Sequence, residues 1–192
     1  MKSFRINQNE MLSHDSIEKS FLVPSRGKRS RPDVKETLDN LENEIQYVFE
    51  MLMNGQFEPT DHKAVKINER NYQKVRTIVK PDYKYEQVVH HVVVQAIRPG
   101  IESGMYEYVL GSIPGRGQHM GAKIISKWIQ EDPENTKYVL KMDIRHFFES
   151  VDHEILKAWI TKKFRDEFVR ELLFLIIDAI ETGLPLGFYT SQ

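Results

Sequence analysis

The chain has no cysteine among its 192 residues. Disulfides and thiolate metal sites are thereby excluded, and a cytoplasmic setting is the expectation. It also lacks any apolar run near the roughly 20 residues of a membrane span, so no membrane partner is expected. The opening MKSFRINQNE has no apolar stretch of the kind a secretory signal needs. Charge of one sign is missing too: 27 Lys and Arg stand against 28 Asp and Glu. A nucleic-acid partner would therefore have to be held by local basic patches, not by overall attraction. There is no internal repeat and no low-complexity tract. The remaining composition, 40% hydrophobic and 29% charged, suffices for one ordinary domain or two small ones with a real core.

Residues 4–22 read as one or two short helices. PSRGKRSRPD, 24–33, places Arg26, Lys28, Arg29 and Arg31 between two prolines, which reads as a loop or extended arm, either nucleic-acid-binding or a solvated linker. From Val34 the spacing of Leu38, Leu41, Ile45, Val48, Phe49 and Leu52 predicts a helix closed by Asn54-Gly55. Alternation in AVKI and VRTIV around the polar NERN predicts a β-hairpin over 62–81, with Lys63, Lys66, Arg70, Lys74, Arg76 and Lys80 along it. YKYEQVVHHVVVQAIRPG predicts a buried helix ended by Pro99-Gly100. His90 and His91, about 100° apart on that helix, do not share a metal; at least one is expected to be hydrogen-bonded in the core or a groove.

GSIPGRGQHMGAKIISKWI sets glycines before an amphipathic helix. The Gly-x-Gly around Arg116 is either a tight structural turn or a backbone cradle for phosphate, without the closing residues of a P-loop. YVLKMDIRHFFESVDHEIL, 138–156, then reads as a buried strand ending in Asp143. A strand-end carboxylate suits a divalent metal, which takes hard oxygen ligands, but it also suits a simple turn cap. Asp152 reads as the N-cap of a helix over 153–163. A further helix is expected over 166–181, and TGLPLGFYTSQ is a loop built on Gly183, Pro185 and Gly187.

Taken in order, the basic arm, helix, basic hairpin, buried helix, Gly-rich loop, Asp-x-x-x-Phe-Phe strand and Gly-Leu-Pro-x-Gly loop resemble the fingers and upper palm of a reverse transcriptase. The resemblance runs from about residue 26 to residue 192. It implies an α+β fold, helix-rich, with a fingers hairpin and a partial palm sheet. The implied segments are an extension with a basic arm at 1–33, fingers at 34–135 and partial palm at 136–192. It implies RNA-directed DNA polymerisation on a template RNA with a primer or cDNA and dNTP substrates, assisted by Mg²⁺ or Mn²⁺. By position Asp143 would be the catalytic metal ligand, with the Ile144 carbonyl beside it, and Phe148 the gate against a ribose 2′-OH. Lys74, Arg76 and Lys66 would meet the triphosphate, and Leu186 and Gly187 the nascent base pair. Arg26, Lys28, Arg29, Arg31 and Arg116 would meet RNA.

Within that family the residues look most similar to the reverse transcriptases of diversity-generating retroelements. Leu186 stands where relatives such as group II intron and retron enzymes have Gln, and Gln192 where they have Pro. GRGQH, 115–119, resembles the Gly-x-Gly-x-His of the same group, whereas Phe188 stands where Asn is expected. Prophage and phage-defence enzymes carry similar loops. The family's Tyr-x-Asp-Asp hairpin follows the Pro-x-Gly loop, and the chain ends at Gln192 without it. The 192 residues are thus expected to be an inactive piece of a longer enzyme, with self-association through an uncovered palm strand. A non-catalytic RNA-binding module is the alternative.

Overall fold

The structure is a computed structural model and describes residues 3–60, 62, 64–68 and 75–191. These separate into two compact units, one within Met1–Ile101 and Phe147–Gln192, the other within Glu102–His146.

The first unit is built of helices around one core, with a small hairpin. α1 (Gln8–Met11) and α2 (His14–Ser25) begin at Asn7 and Ser13, whose side chains accept the Asn9 and Ser16 amides. The basic stretch is a compact turn, not an extended arm. α2 runs to Ser25, the Lys28 amide donates to Ser25 O and the Arg31 amide to Lys28 O, and Pro32 opens α3 (Pro32–Asp39). The single helix expected from Val34 is broken at Asn40, because α4 (Leu41–Met53) starts afresh there.

β1 (Ala64–Asn68) pairs antiparallel with β2 (Val75–Val79), with Lys66 opposite Thr77 and Ile67 opposite Arg76. The expected hairpin therefore exists; its turn, with Lys74, lies outside the described residues. A π-helical turn, Tyr83–Gln87, capped by the Asp82 carboxylate, leads into α5 (Val88–Glu102). Here β-branched residues make a helix because burial overrides propensity: Val88, Val89, Val92 and Val93 are all inaccessible. The expected stop at Pro99-Gly100 does not occur. The helix continues to Glu102, and Gly100 lies where an added Cβ would come within 2.8 Å of the Phe4 ring. Phe4 also bridges Phe164, its amide donating to Lys163 O at 2.7 Å.

α7 (His153–Lys163) and α8 (Glu167–Asp178) complete this unit. Their N-caps are Asp152 and Asp166, which accept the Ile155 and Val169 amides, as expected for Asp152. The core gathers Ile17 and Phe21 from α2, Val48 and Leu52 from α4, the α5 valines, Val169 and Leu173 from α8, and Phe188 from the last loop.

The second unit holds α6 (Gln118–Glu131), entered through Gly115 and Gly117 at φ 79° and 150°. Tyr108 meets Trp128 edge to face at 4.9 Å. The expected buried strand is corrected here. Residues 138–144 lie outside any strand, and Tyr138, Val139, Leu140 and Met142 are each more than four-fifths exposed. An apolar alternation makes a strand only where a neighbour takes up its backbone groups, and among the described residues none does. The described sheet is accordingly the two-stranded hairpin, not a palm sheet.

Candidate functional site

Three of the elements singled out in the sequence converge in the first unit: Phe148, the loop at 183–187, and β2. At one end of the loop the Leu184 amide donates to Phe148 O at 2.7 Å. At the other end the Val79 amide donates to Leu186 O at 2.8 Å. Both approaches depend on glycine. A Cβ on Gly183 would lie 2.6 Å from Phe148 O, and one on Gly187 would lie 2.1 Å from Val79 O, while both residues hold positive φ. His153 closes the same corner through Nε2, 2.6 Å from Gly183 O.

The hairpin register sorts its basic residues. Paired residues of an antiparallel ladder share a face, and neighbours along a strand alternate. Arg76 thus shares a face with Ile67, Val65 and Ile78, whereas Lys66 shares the other with Thr77. The Val79 amide bonds Leu186 O, and a Cβ on Gly187 would meet Val79 O and then Ile78 Cγ2, so the loop runs beside the outer edge of β2, two residues from Arg76, about 6.6 Å of strand. Lys66 points to the face opposite Ile78 and Arg76. Arg76 and Lys66 are both exposed.

Asp143 and Ile144 belong to the second unit and Phe148 to the first. Asp143 is exposed, and its Oδ1 accepts the Ile144 amide at 3.0 Å. Among the described residues no group of three His, Asp or Glu side chains is placed to hold a metal ion. One carboxylate supplies a hard oxygen ligand but cannot clamp the two ions of phosphoryl transfer, so these residues do not by themselves fit a two-metal centre. Arg116 turns inward, its Nη1 donating to Glu107 O at 3.1 Å and Val109 O at 3.0 Å. Its loop therefore has the internal bonding of a tight turn. Of the basic turn, Arg26 and Arg29 are exposed and Lys28 half-buried, while Arg31 is paired to Asp33.

Sequence reasoning missed what lies behind the loop. Phe188 is 1% exposed, its ring 4.8 Å from His62 and 4.7 Å from His90. Below them Glu86 is wholly buried, accepting Thr60 Oγ1 at 2.7 Å and facing His62 Nε2 at 2.5 Å. A carboxylate only accepts, so His62 donates there. His90 is buried too, yet neither ring nitrogen has a hydrogen-bond partner among the described residues; Glu86 Oε1 is 3.9 Å away. Burial pushes its pKa down to about 3, with His91 and His62 adding repulsion, and burial likewise holds His91 at about 4, with Lys28 and Arg98 adding. His91 stacks on Tyr189 at 3.9 Å and 10°, and Tyr189 accepts Arg98 Nη2 at 2.7 Å. The available signals were Glu86 directly before the valine-rich run of α5 and an aromatic pair directly after Gly187.

No protein-family model matches the chain. It is 24% identical over 144 residues to Protein YkfC of Escherichia coli (strain K12), covering 73% of this chain and 37% of that protein. It is 23% identical over 164 residues to Group II intron-encoded protein LtrA of Lactococcus lactis subsp. cremoris, covering 82% of this chain and 26% of that protein. The chain therefore spans about a quarter to somewhat over a third of these relatives' lengths. The intron-encoded relative agrees with the reverse-transcriptase resemblance of the sequence. Among the described residues no helix is long and apolar enough to cross a membrane.

Proposed function

We propose that the chain is the fingers and part of the palm of an RNA-directed DNA polymerase acting on template RNA, a primer or cDNA, and dNTPs. The observation that carries this reading is the pair of backbone hydrogen bonds joining Phe148 and β2 through the loop at 183–187. A nucleotide site needs a cation for the triphosphate, a wall at the sugar and a surface for the base. Arg76, Phe148 and Leu186 supply those three chemistries on tied elements. Arg76, with Lys74 beside it in sequence, would neutralise phosphate charge, which is most of the work in phosphoryl transfer. Lys66, on the far face, would act on a neighbouring backbone phosphate instead. Phe148 sets an apolar wall where a ribose would need room for its 2′-OH. Leu186 and Gly187 would meet the nascent pair, and Leu186 gives only apolar contact, which fits the diversity-generating group.

Asp143 and the Ile144 carbonyl are proposed as part of a ligand set for Mg²⁺ or Mn²⁺. Segments 1–33, 34–135 and 136–192 would be the extension, fingers and partial palm. Arg26, Lys28, Arg29, Arg31 and the Arg116 loop would face RNA. The distant likeness to a group II intron-encoded protein supports a reverse-transcriptase relationship; retroelement type and whole-protein activity belong to the proposal. A second reading, a non-catalytic RNA-binding module, is favoured by the lone exposed Asp143 without a metal-holding group around it among the described residues. A phage-defence enzyme of the same fold is a variant of the first.

The test is extension of a DNA primer on RNA with dNTPs and Mg²⁺. The 192-residue chain alone is expected to give none, and a longer natural protein containing it to extend. Phe148→Ala in that longer protein should raise ribonucleotide incorporation relative to deoxyribonucleotide. RNA binding without any extension by the longer protein would overturn the polymerase reading in favour of the binding module.

A further inference from the structure

The loop bearing Leu186 touches β2 through one backbone hydrogen bond, from the Val79 amide. One bond fixes a distance and leaves a hinge. The two residues that follow Gly187 remove that freedom. Phe188 inserts its ring between His62, from the segment before β1, and His90, from α5, at 4.8 and 4.7 Å. Tyr189 stacks flat on His91, also from α5, and accepts Arg98 at 2.7 Å. Successive helical residues diverge by about 100°, so the two aromatics grip two sides of one helix. His62 is itself immobilised, because its Nε2 donates to the buried Glu86 carboxylate, whose other oxygen is taken by Thr60. Gly187, without a Cβ, lets the loop descend onto Val79 O and Ile78. The loop is thus held both to β2, through Val79 and Ile78, and to α5 and His62, through the two aromatics.

We propose that Phe188 is a positioning residue: seated between His62 and His90 above the Glu86–Thr60 pair, it locks Leu186 and Gly187 to β2. The loop and Arg76 then meet a nucleotide as one body. This rests on the polymerase reading, but the anchor itself can be tested without it. A hairpin that closed over substrate independently of the loop would need the Val79–Leu186 bond to break. The anchor forbids that, so base contact and phosphate contact are made together.

The Val79 amide reports the lock directly. Hydrogen exchange followed by NMR on the 192-residue chain should show that amide exchanging on the order of ten-fold faster in Phe188→Ala, with α6 amides, in the other unit, unchanged. Phe188→Leu keeps an apolar side chain in place but removes the aromatic ring, and should give an intermediate increase. It decides the matter if the alanine variant fails to fold. Titration with dTTP and Mg²⁺ supplies the second arm. In the wild type, the Arg76 and Leu186 amide signals should shift with one common apparent Kd. In either variant, Arg76 should still respond while the Leu186 response weakens or separates. Unchanged Val79 exchange in Phe188→Leu, or Arg76 and Leu186 still titrating as one in the variants, would overturn the anchor. Absence of any wild-type response to dTTP would overturn the nucleotide reading alone, leaving the exchange arm to judge the anchor.

Discussion

The loop at 183–189, in the first unit, and the segment at 138–144, in the second, are both irregular stretches that carry candidate site residues. Their physical states are opposite. The loop is tied by backbone hydrogen bonds to Phe148 and Val79 and seated on a buried polar cluster through Phe188. The other segment carries Asp143 and exposes Tyr138, Val139, Leu140 and Met142. Residues that would recognise a nucleotide are thus pre-organised by this chain's own contacts. The carboxylate that would meet a metal is not, and its apolar neighbours are open to a further strand or a second copy. On the proposed reading, recognition would rest on the tied loop and metal chemistry on the open segment, so each could be disturbed without the other.

The largest expected effect breaks the comparison at its buried end. Glu86→Ala leaves His62 and Thr60 facing an empty space in a closed cluster, and should cost about 3–5 kcal/mol by urea unfolding. Asp143→Ala should lie within about 0.5 kcal/mol of wild type, since its side chain is exposed and, among the described residues, bonds its neighbour's amide. Equal costs would mean the two regions are held alike.

Acid sharpens the same contrast. His90 and His91 titrate far below their unfolded value of 6.5 because burial disfavours the charged form. The native state then binds fewer protons than the unfolded chain. Stability should be full above about pH 6.5 and fall as pH drops through the window between 6.5 and the folded values near 3 and 4. At pH 5 the loss should be about 2 kcal/mol for each of the two residues. Unfolding midpoints at about pH 7 and about pH 5, for wild type and His90→Gln, measure it. A flat profile in the wild type would remove the buried neutral histidines from the account.

A smaller pair compares glycines across the two units. Gly187→Ala and Gly115→Ala both place a Cβ at positive φ, but the first also drives it into Val79 O while the second meets open space. The second should cost about 1 kcal/mol, and the first clearly more, of the order of 1–3 kcal/mol beyond it. The smallest effect concerns RNA. Replacing Arg26, Lys28 and Arg29 by Ala should flatten the slope of log K against log salt by about 0.7 for each phosphate that is no longer neutralised. Arg31→Ala should change it less, because Asp33 already holds that guanidinium. An unchanged slope in the triple variant would move the RNA surface to the hairpin.

Much of the fold was legible where one physical signal dominates. Amphipathic spacing placed α4 and α8, Asp152 announced α7, and alternation around a polar turn announced the hairpin. The errors have identifiable causes. Pro99-Gly100 read as a stop, but Gly100 is required beneath the Phe4 ring. The run at 138–143 read as a buried strand because alternation reports only the capacity to pair. The basic stretch read as a loop or an extended arm; its prolines sit inside α2 and at the start of α3, which leaves a tight turn and excludes the arm. The loop at Arg116 read as either a tight turn or a phosphate cradle, and its Nη1 donates to two loop carbonyls.

The sequence by itself determined most of the helices, the hairpin and the lack of disulfides, and it proposed which residues could do nucleotide chemistry, because local periodicity, capping and composition act over a few neighbours. Only the tertiary structure decided that Arg76 and Lys66 face opposite ways, since strand register is a relation between two segments. It alone brought Phe188, His62, His90 and Glu86 together, drawing on positions from Thr60 to Tyr189. Burial is a property of the packed chain, and no window of sequence reveals which polar side chain will be buried against which aromatic ring.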